Sequence, residues 1–313
     1  MKRVSVTDLQ QMRNRGEPIT MITAYDYPTA RLVDDAGIPV MLVGDSVGMV
    51  VLGYDSTLPV TVDDMIHHGS AVMRGTQRAH VVVDMPFGSY QTGWQDAMRN
   101  ASRIMQETGC DSVKLEGGQR SAETVEHLVS SGIPVMGHIG LTPQSVNALG
   151  GYKIQGRTPR DAVRVLNDAK ALEEAGAYAI VLEVVPAAVA ARITEILSVP
   201  TIGIGAGPYC SGQVQVLHDL LALDPDMDPK HARRFLKGGE LIHSALTDYR
   251  EAVESGSFPT ADESFFLDAV TRKRVETMLA IHADDSMLAS HAIEGSHEGV
   301  DAEIALLSDE ELR

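Results

Sequence analysis

Short apolar runs rich in β-branched residues alternate along this chain with longer stretches of helical spacing. Residues 19–24, 40–44, 80–84, 112–116, 134–138, 179–183, 200–204 and 214–217 read as strands. Helical patterns fall between them at 28–36, 61–74, 94–107, 121–130, 161–175 and 186–197. Thr7, followed three positions later by Gln10, reads as a capping box opening a short N-terminal helix. Two long loops interrupt the pattern: 46–59, whose length marks it as a lid or binding loop, and 140–157, which is glycine-rich and carries little periodicity. Strand–helix alternation repeated in this way predicts a parallel sheet. Strands apolar along their whole length are buried on both faces, as parallel strands are.

Charged residues interrupt that pattern where apolar strands have no use for them. Asp45, Asp84, Glu116, His138 and Glu183 each close a run, and Lys114 sits within one. An open doubly wound sheet gathers function at one switch point. Functional residues on consecutive strands instead predict a (β/α)8 barrel, whose strand ends ring a single mouth.

Each residue type at that mouth implies a chemistry. Asp45 and Asp84, on adjacent strands, would lie roughly 5 Å apart, within reach of one hard cation. Magnesium takes few protein carboxylates and keeps positions open for substrate. Glu116 is a third candidate ligand, or the holder of a bound water. Lys114 alternates with Glu116, so both face the same way. It would bind a substrate carboxylate or stabilise enolate charge. His138 is a candidate polar contact to substrate. Glu183 stands in the apolar setting Ile180-Val-Leu-Glu-Val-Val-Pro186. Such surroundings disfavour an ionised carboxylate, which suits a group that takes and returns a proton.

Other motifs say less. Gly203-Ile-Gly-Ala-Gly207 permits close backbone approach to a ligand, but lacks the spacing of a dinucleotide fingerprint or a P-loop. His67 and His68 are adjacent on a helix pattern, point apart, and are not joint ligands. Cys110 and Cys210 form no CxxC; Cys110 reads as a buried thiol, and nothing argues for an oxidising compartment.

The chain has 313 residues and a formal net charge of -17. One barrel needs about 250 residues, leaving room for an appendage rather than a second full domain. The negative charge disfavours non-specific nucleic-acid binding. No run approaches the ~20 apolar residues of a membrane-spanning helix. The N-terminus lacks the apolar segment of a signal peptide. Residues 281–313 carry nine acidic residues against one arginine, which reads as a mobile acidic tail.

Several long stretches together resemble the ketopantoate hydroxymethyltransferase (3-methyl-2-oxobutanoate hydroxymethyltransferase) family. They include Leu42-Val-Gly-Asp-Ser-Val-Gly-Met49, Gly53-Tyr-Asp-Ser-Thr-Leu-Pro-Val-Thr61 and Asp84-Met-Pro-Phe87. Val113-Lys-Leu-Glu-Gly-Gly118, Gly137-His-Ile-Gly-Leu-Thr-Pro-Gln-Ser145, Gly150-Gly-Tyr-Lys-Ile-Gln-Gly-Arg157 and Ile202-Gly-Ile-Gly-Ala-Gly207 continue the likeness. It runs colinearly from about residue 5 to 266, which divides the chain into a barrel at 1–266 and an extension at 267–313.

The resemblance implies a barrel of the phosphoenolpyruvate/pyruvate-like superfamily and a cytoplasmic homo-oligomer, often a decamer. It implies Mg2+, with Asp45 and Asp84 as ligands and Glu116 as the third carboxylate. Asp45, Ser46, Asp84 and Lys114 would contact the oxoacid, and Glu183 would accept the proton. The implied reaction carries a hydroxymethyl group from 5,10-methylenetetrahydrofolate to 3-methyl-2-oxobutanoate through magnesium-assisted enolate formation. The product is 2-dehydropantoate, on the route to pantothenate and coenzyme A. Another metal-dependent 2-oxoacid lyase or mutase of the same barrel type is the enzymatic alternative, and a non-catalytic scaffold the other. Two positions depart from the family pattern: Val184 replaces the usual Cys, and Ser211 replaces a frequent Asp.

Overall fold

Eight parallel strands close into a barrel in the computed structural model, which describes residues 2–227 and 229–289. The chain enters through helix α1 (Val6–Asn14), then β1 (Ile19–Thr23), α2 (Tyr27–Asp35) and β2 (Val40–Val43). After β2 come a single-turn helix α3 (Val47–Val50), α4 (Val62–Gly75) and β3 (His80–Asp84). Then follow α5 (Trp94–Thr108), β4 (Ser112–Glu116), α6 (Ala122–Ser130) and β5 (Val135–Gly140). A short α7 (Val146–Leu149) precedes α8 (Pro159–Glu174), β6 (Ala179–Glu183), α9 (Ala187–Ile196) and β7 (Thr201–Ile204). The barrel ends with β8 (Gly212–Gln215) and α10 (Leu217–Leu221). Each strand pairs in parallel with the next, and β8 pairs with β1.

Period-two alternation sorts every strand into two faces. Val81 and Val83 of β3 and Val113 and Leu115 of β4 turn outward into the main core, shared with the helices. Val82, Met136, Val181 and Val214 belong instead to a separate apolar cluster lining the barrel interior. Leu9 of α1 joins that inner cluster and closes the barrel floor. A buried polar layer lies beside it: His80 Nε2 is 2.8 Å from Ser112 Oγ, which is 2.9 Å from the Tyr178 hydroxyl. His80 Nδ1 contacts the carbonyl of Val4 at 3.1 Å, so these buried groups are satisfied.

Continuing the inner face toward the strand C-termini leads from apolar to charged residues. Val82 is followed two positions on by Asp84, Met136 by His138, and Val181 by Glu183. The (β/α)8 fold class read from the pattern is therefore the one observed, with its charge at the C-terminal mouth.

Some expected boundaries shift. The N-terminal capping box is Ser5 with Asp8, not Thr7 with Gln10; Ser5 Oγ accepts from Asp8 N at 3.3 Å. β2 stops at Val43, so Asp45 lies in the turn beyond the strand rather than at its end. β5 runs to Gly140, which leaves His138 within the strand. β8 starts and ends two residues early, and Leu217 opens a helix instead of closing the strand.

The chain divides into two compact units between Ser244 and Ala245. Helix α11 (Gly238–Glu254) spans that division, and α12 (Ala269–Ala289) lies in the second unit. The acidic tail expected at 281–313 lies outside the described residues from 290 onward.

Candidate active site

The charged mouth is a cavity of about 440 Å³. Asp45, Asp84, Lys114, Glu116, His138 and Glu183 all line it, with Ser46 beside them. Strand register explains the grouping. Asp84 pairs with Lys114 across β3 and β4, and Glu116 pairs with His138 across β4 and β5. Acid and base thus alternate around the inner wall.

Lys114 Nζ lies 2.8 Å from Asp84 Oδ1, in a pair almost wholly removed from solvent. Burial pushes this ammonium down, but Asp84, Asp45 and Glu116 outweigh it and hold Lys114 above its usual range. Asp84 Oδ2 accepts from the backbone N–H of Asp45 at 3.0 Å. That bond ties the turn after β2 to the tip of β3. Burial, then the neighbouring Asp84 and Glu116, push the Asp45 carboxyl up to about 8. Ser46 Oγ is 2.9 Å from the Tyr25 hydroxyl.

His138 stands between two glutamates. Its Nδ1 is 3.5 Å from Glu116 Oε1, and its Nε2 is 3.1 Å from Glu183 Oε2. Burial and Lys114 push the imidazole down, while Glu116 and Glu183 more than offset them and raise it to about 9. The Nε2–H does not point squarely at Glu183, so this is an ion contact rather than an aligned hydrogen bond.

The surroundings of Glu183 differ from the apolar setting its neighbours in sequence suggest. Its strand neighbour Leu182 turns into the main core, while the carboxylate faces the cavity and the imidazole. Its side chain keeps 16% exposure, against 2% for Glu116. The next residue, Val184, has φ 49°, an uncommon conformation for a β-branched side chain. Both its backbone groups are held: the N–H donates to the Ile204 carbonyl at 2.8 Å, and the carbonyl accepts from Gln155 N at 3.0 Å. This pinned turn fixes the direction in which β6 presents Glu183.

Gln144 was not singled out among the sequence candidates, yet it joins the whole acidic side. Its Nε2 donates to Asp45 Oδ2 at 2.8 Å and to the Met85 carbonyl at 3.0 Å. Its backbone N–H donates to Glu116 Oε2 at 3.1 Å, and its Oε1 accepts from the Tyr90 hydroxyl at 2.6 Å. Tyr90 in turn accepts from Glu116 N at 3.1 Å. The available signal was a polar residue directly after Pro143 in an overlong loop, too weak to select it from sequence alone. His67 and His68 do not line the cavity; His68 Nδ1 meets the Tyr25 carbonyl at 2.7 Å.

Hard oxygen donors dominate the acidic wall, the set that suits magnesium. Asp84 Oδ1 is buried with no aligned hydrogen-bond donor, and three carboxylates face one ammonium. A divalent cation at Asp45 and Asp84 fits that donor set. Glu116 is turned toward Gln144 and His138. Among the described residues, no three acidic, histidine or cysteine groups converge as a ready ligand cluster. A cation here would therefore rely on few protein oxygens and several waters, as magnesium does.

Solved structures of similar architecture define the class. Phosphoenolpyruvate phosphomutase from Streptomyces platensis subsp. rosaceus matches with a TM-score of 0.57 at 13% identity, covering 91% of this chain and 100% of that one. A 2,3-dimethylmalate lyase of the phosphoenolpyruvate mutase/isocitrate lyase superfamily matches with a TM-score of 0.52 at 14% identity, over 91% and 100% of the two chains. The chain thus shares with these proteins the closed (β/α)8 barrel fold.

Sequence likeness is narrower and much stronger. The 3-methyl-2-oxobutanoate hydroxymethyltransferase of Carboxydothermus hydrogenoformans is 55% identical over 275 residues, covering 88% of this chain and all of that protein. Residues 3–261 match ketopantoate hydroxymethyltransferase as a family, and the chain belongs to that family. Among the described residues, no helix is long and apolar enough to cross a membrane.

Proposed function

We propose that this chain transfers a hydroxymethyl group from 5,10-methylenetetrahydrofolate to 3-methyl-2-oxobutanoate, giving 2-dehydropantoate for pantothenate synthesis. One observation carries the reading beyond family membership. A carboxylate, Glu183, shares one cavity with a buried lysine and a paired-aspartate wall, and is more exposed than the acids around it. That arrangement separates a proton acceptor from a charge-stabilising wall, as enolate chemistry needs.

In this reading Asp45 and Asp84 would hold Mg2+, which supplies Lewis-acid polarisation of the keto oxygen when bound. Glu116 braces His138 and Gln144 beside it. Lys114 brings a fixed positive charge to the oxoacid's developing oxyanion, and Ser46 supplies a hydroxyl at the same wall. Glu183 takes the proton from C3, held in place by His138 and by the turn at Val184. The resulting carbanion forms its new C–C bond to the one-carbon unit, and one water overall supplies the hydroxyl oxygen. Tetrahydrofolate leaves as the second product.

The reading extends to a homo-oligomer working in the cytoplasm. Leu241, Leu246 and Tyr249 of α11 are exposed, as are Phe265 and Phe266, apolar surface of the kind that assemblies cover.

The test is turnover of 3-methyl-2-oxobutanoate with methylenetetrahydrofolate, with and without magnesium. Product that requires a divalent cation supports the reading; no 2-dehydropantoate under any divalent metal sinks it. In deuterated water, Glu183→Gln should lose exchange of the C3 hydrogen and still bind the oxoacid. Undiminished exchange would remove Glu183 as the base.

A further inference from the structure

The cavity is larger than a five-carbon oxoacid needs, and its outer part has a different chemistry from the charged chamber. Past Glu183 the wall is formed by Met49, Tyr152, Gln215, Asp219, Met227 and His231. Met49 and Tyr152 come from the two long loops and approach one another, with the Tyr152 hydroxyl 3.9 Å from Met49 Sδ. Their ring and thioether give a soft, flat-faced rim suited to an aromatic ligand.

The polar groups opposite that rim are acceptors. Gln215 closes β8 and donates its Nε2 to the His231 carbonyl at 3.1 Å. That bond fixes the amide orientation and leaves Gln215 Oε1 buried with no partner among the described residues. An orphaned buried acceptor implies a missing donor. Asp219, within α10, presents a half-buried carboxylate to the same cavity and to the smaller hollow that joins it at Met49 and Met227. Burial pushes this carboxyl up, His231 and Arg234 oppose this, and Asp224 adds to it. His231 and Val184 both abut Gly205, so this outer wall stands directly beside the strand end that carries Glu183.

The ligand that fits is planar, has apolar faces, and presents two adjacent N–H donors on one edge. The pyrimidine edge of a reduced pterin has that pattern, with its ring N–H beside its exocyclic amine. A carboxylate takes such a donor pair in two parallel hydrogen bonds. Resting on the reaction proposed above, we infer that the outer cavity is the pterin subsite of the second substrate. Asp219 receives the paired donors, Gln215 Oε1 takes a further one, and Met49 and Tyr152 cover the ring. The pterin then lies on the Glu183 side of the oxoacid, where its one-carbon unit faces the carbon that Glu183 deprotonates.

Three readouts test this: KM for methylenetetrahydrofolate, KM for the oxoacid, and the inhibition constant of 6-methyltetrahydropterin, which has the ring but not the tail. Asp219→Asn should raise the first and the third by tenfold or more, and Gln215→Met should raise both less. The oxoacid KM and the folate-free C3 exchange rate should stay within about twofold of wild type, because they report the inner chamber. Unchanged folate KM and pterin inhibition in both variants would overturn the subsite. Equal weakening of both substrates would also overturn it, since that marks a structural role. If the wild-type chain makes no product, the reaction reading falls, and direct pterin binding decides the pocket. Binding weakened tenfold in Asp219→Asn supports it, and equal affinity refutes it.

Discussion

His138 reaches diagonally across the β5–β6 pair to place Nε2 3.1 Å from Glu183 Oε2. In register His138 lies opposite Val181, two residues before Glu183 on the same face of β6. The imidazole therefore spans one step along the sheet, from Glu116 on one side to Glu183 on the other. This makes it a positioning residue for the candidate base rather than a third acid–base group in its own right. His138→Gln should slow C3 exchange by about tenfold or more, because the charge that holds Glu183 in place is lost. Oxoacid affinity should change by far less, and the kcat-against-KM split measures the difference. Loss of affinity with exchange intact would place His138 on the substrate instead.

Among the described residues, Lys114 is the only lysine among the buried charges of the chamber, with Asp84 at 2.8 Å. Removing one partner of a buried pair leaves uncompensated charge, at a cost of about 3–5 kcal/mol. Lys114→Met in metal-free buffer should lower the urea midpoint accordingly. Added magnesium should restore part of the loss, because it supplies the missing positive charge. A variant as stable as wild type would mean that the acids do not rely on this cation.

Asp34 closes α2 and holds the entry to β3. Its carboxylate accepts from the backbone N–H groups of Gln77, Arg78 and Ala79, the last at 2.8 Å. Burial pushes this carboxyl up, but the N–H groups of Ala79, Arg78 and Gln77 outweigh it and hold it below its usual range. A depressed folded-state value stabilises the fold above the unfolded carboxyl range, and that stability is lost as pH falls through the lower folded value. Asp34→Asn should therefore cost about 1–3 kcal/mol at neutral pH. The gap from wild type should close as pH drops below about 4. Urea titrations at several pH values would show it, and a gap independent of pH would argue against the carboxylate as its source.

Gly140 ends β5 with φ 92°, and a Cβ there would run into the carbonyl oxygen of Glu183 and, at 2.7 Å, Val185 Cγ2. The same carbonyl accepts from Leu141 N at 2.8 Å. Gly140→Ala is expected to cost about 1–3 kcal/mol in backbone strain, plus the clash. Because the clash falls on the residue carrying the carboxylate, C3 exchange should fall more than thermal stability alone accounts for. Activity that merely tracks the folded fraction would refute that link.

The barrel was legible in the chain because its signals are local. Eight apolar runs spaced by helical periods call for a parallel sheet buried on both faces, and charged residues ending consecutive strands select the closed barrel. The charged strand ends were legible for the same reason, since an apolar run that stops at Asp84 or Glu183 stands out against its own pattern. Family membership rests on long colinear motifs and needed no coordinates.

Only the tertiary structure decided which of these groups touch. Register between β3 and β4 sets Lys114 against Asp84, and register between β5 and β6 brings His138 to Glu183. No residue spacing encodes those pairings, because hydrogen bonding between strands fixes them only after closure. Gln144 shows the same limit. It comes from an irregular loop, without a period to mark it, yet it bonds to Asp45 and Glu116 from across the mouth. The apolar sequence around Glu183 described its strand correctly and its carboxylate poorly, since alternate side chains on one strand face different media.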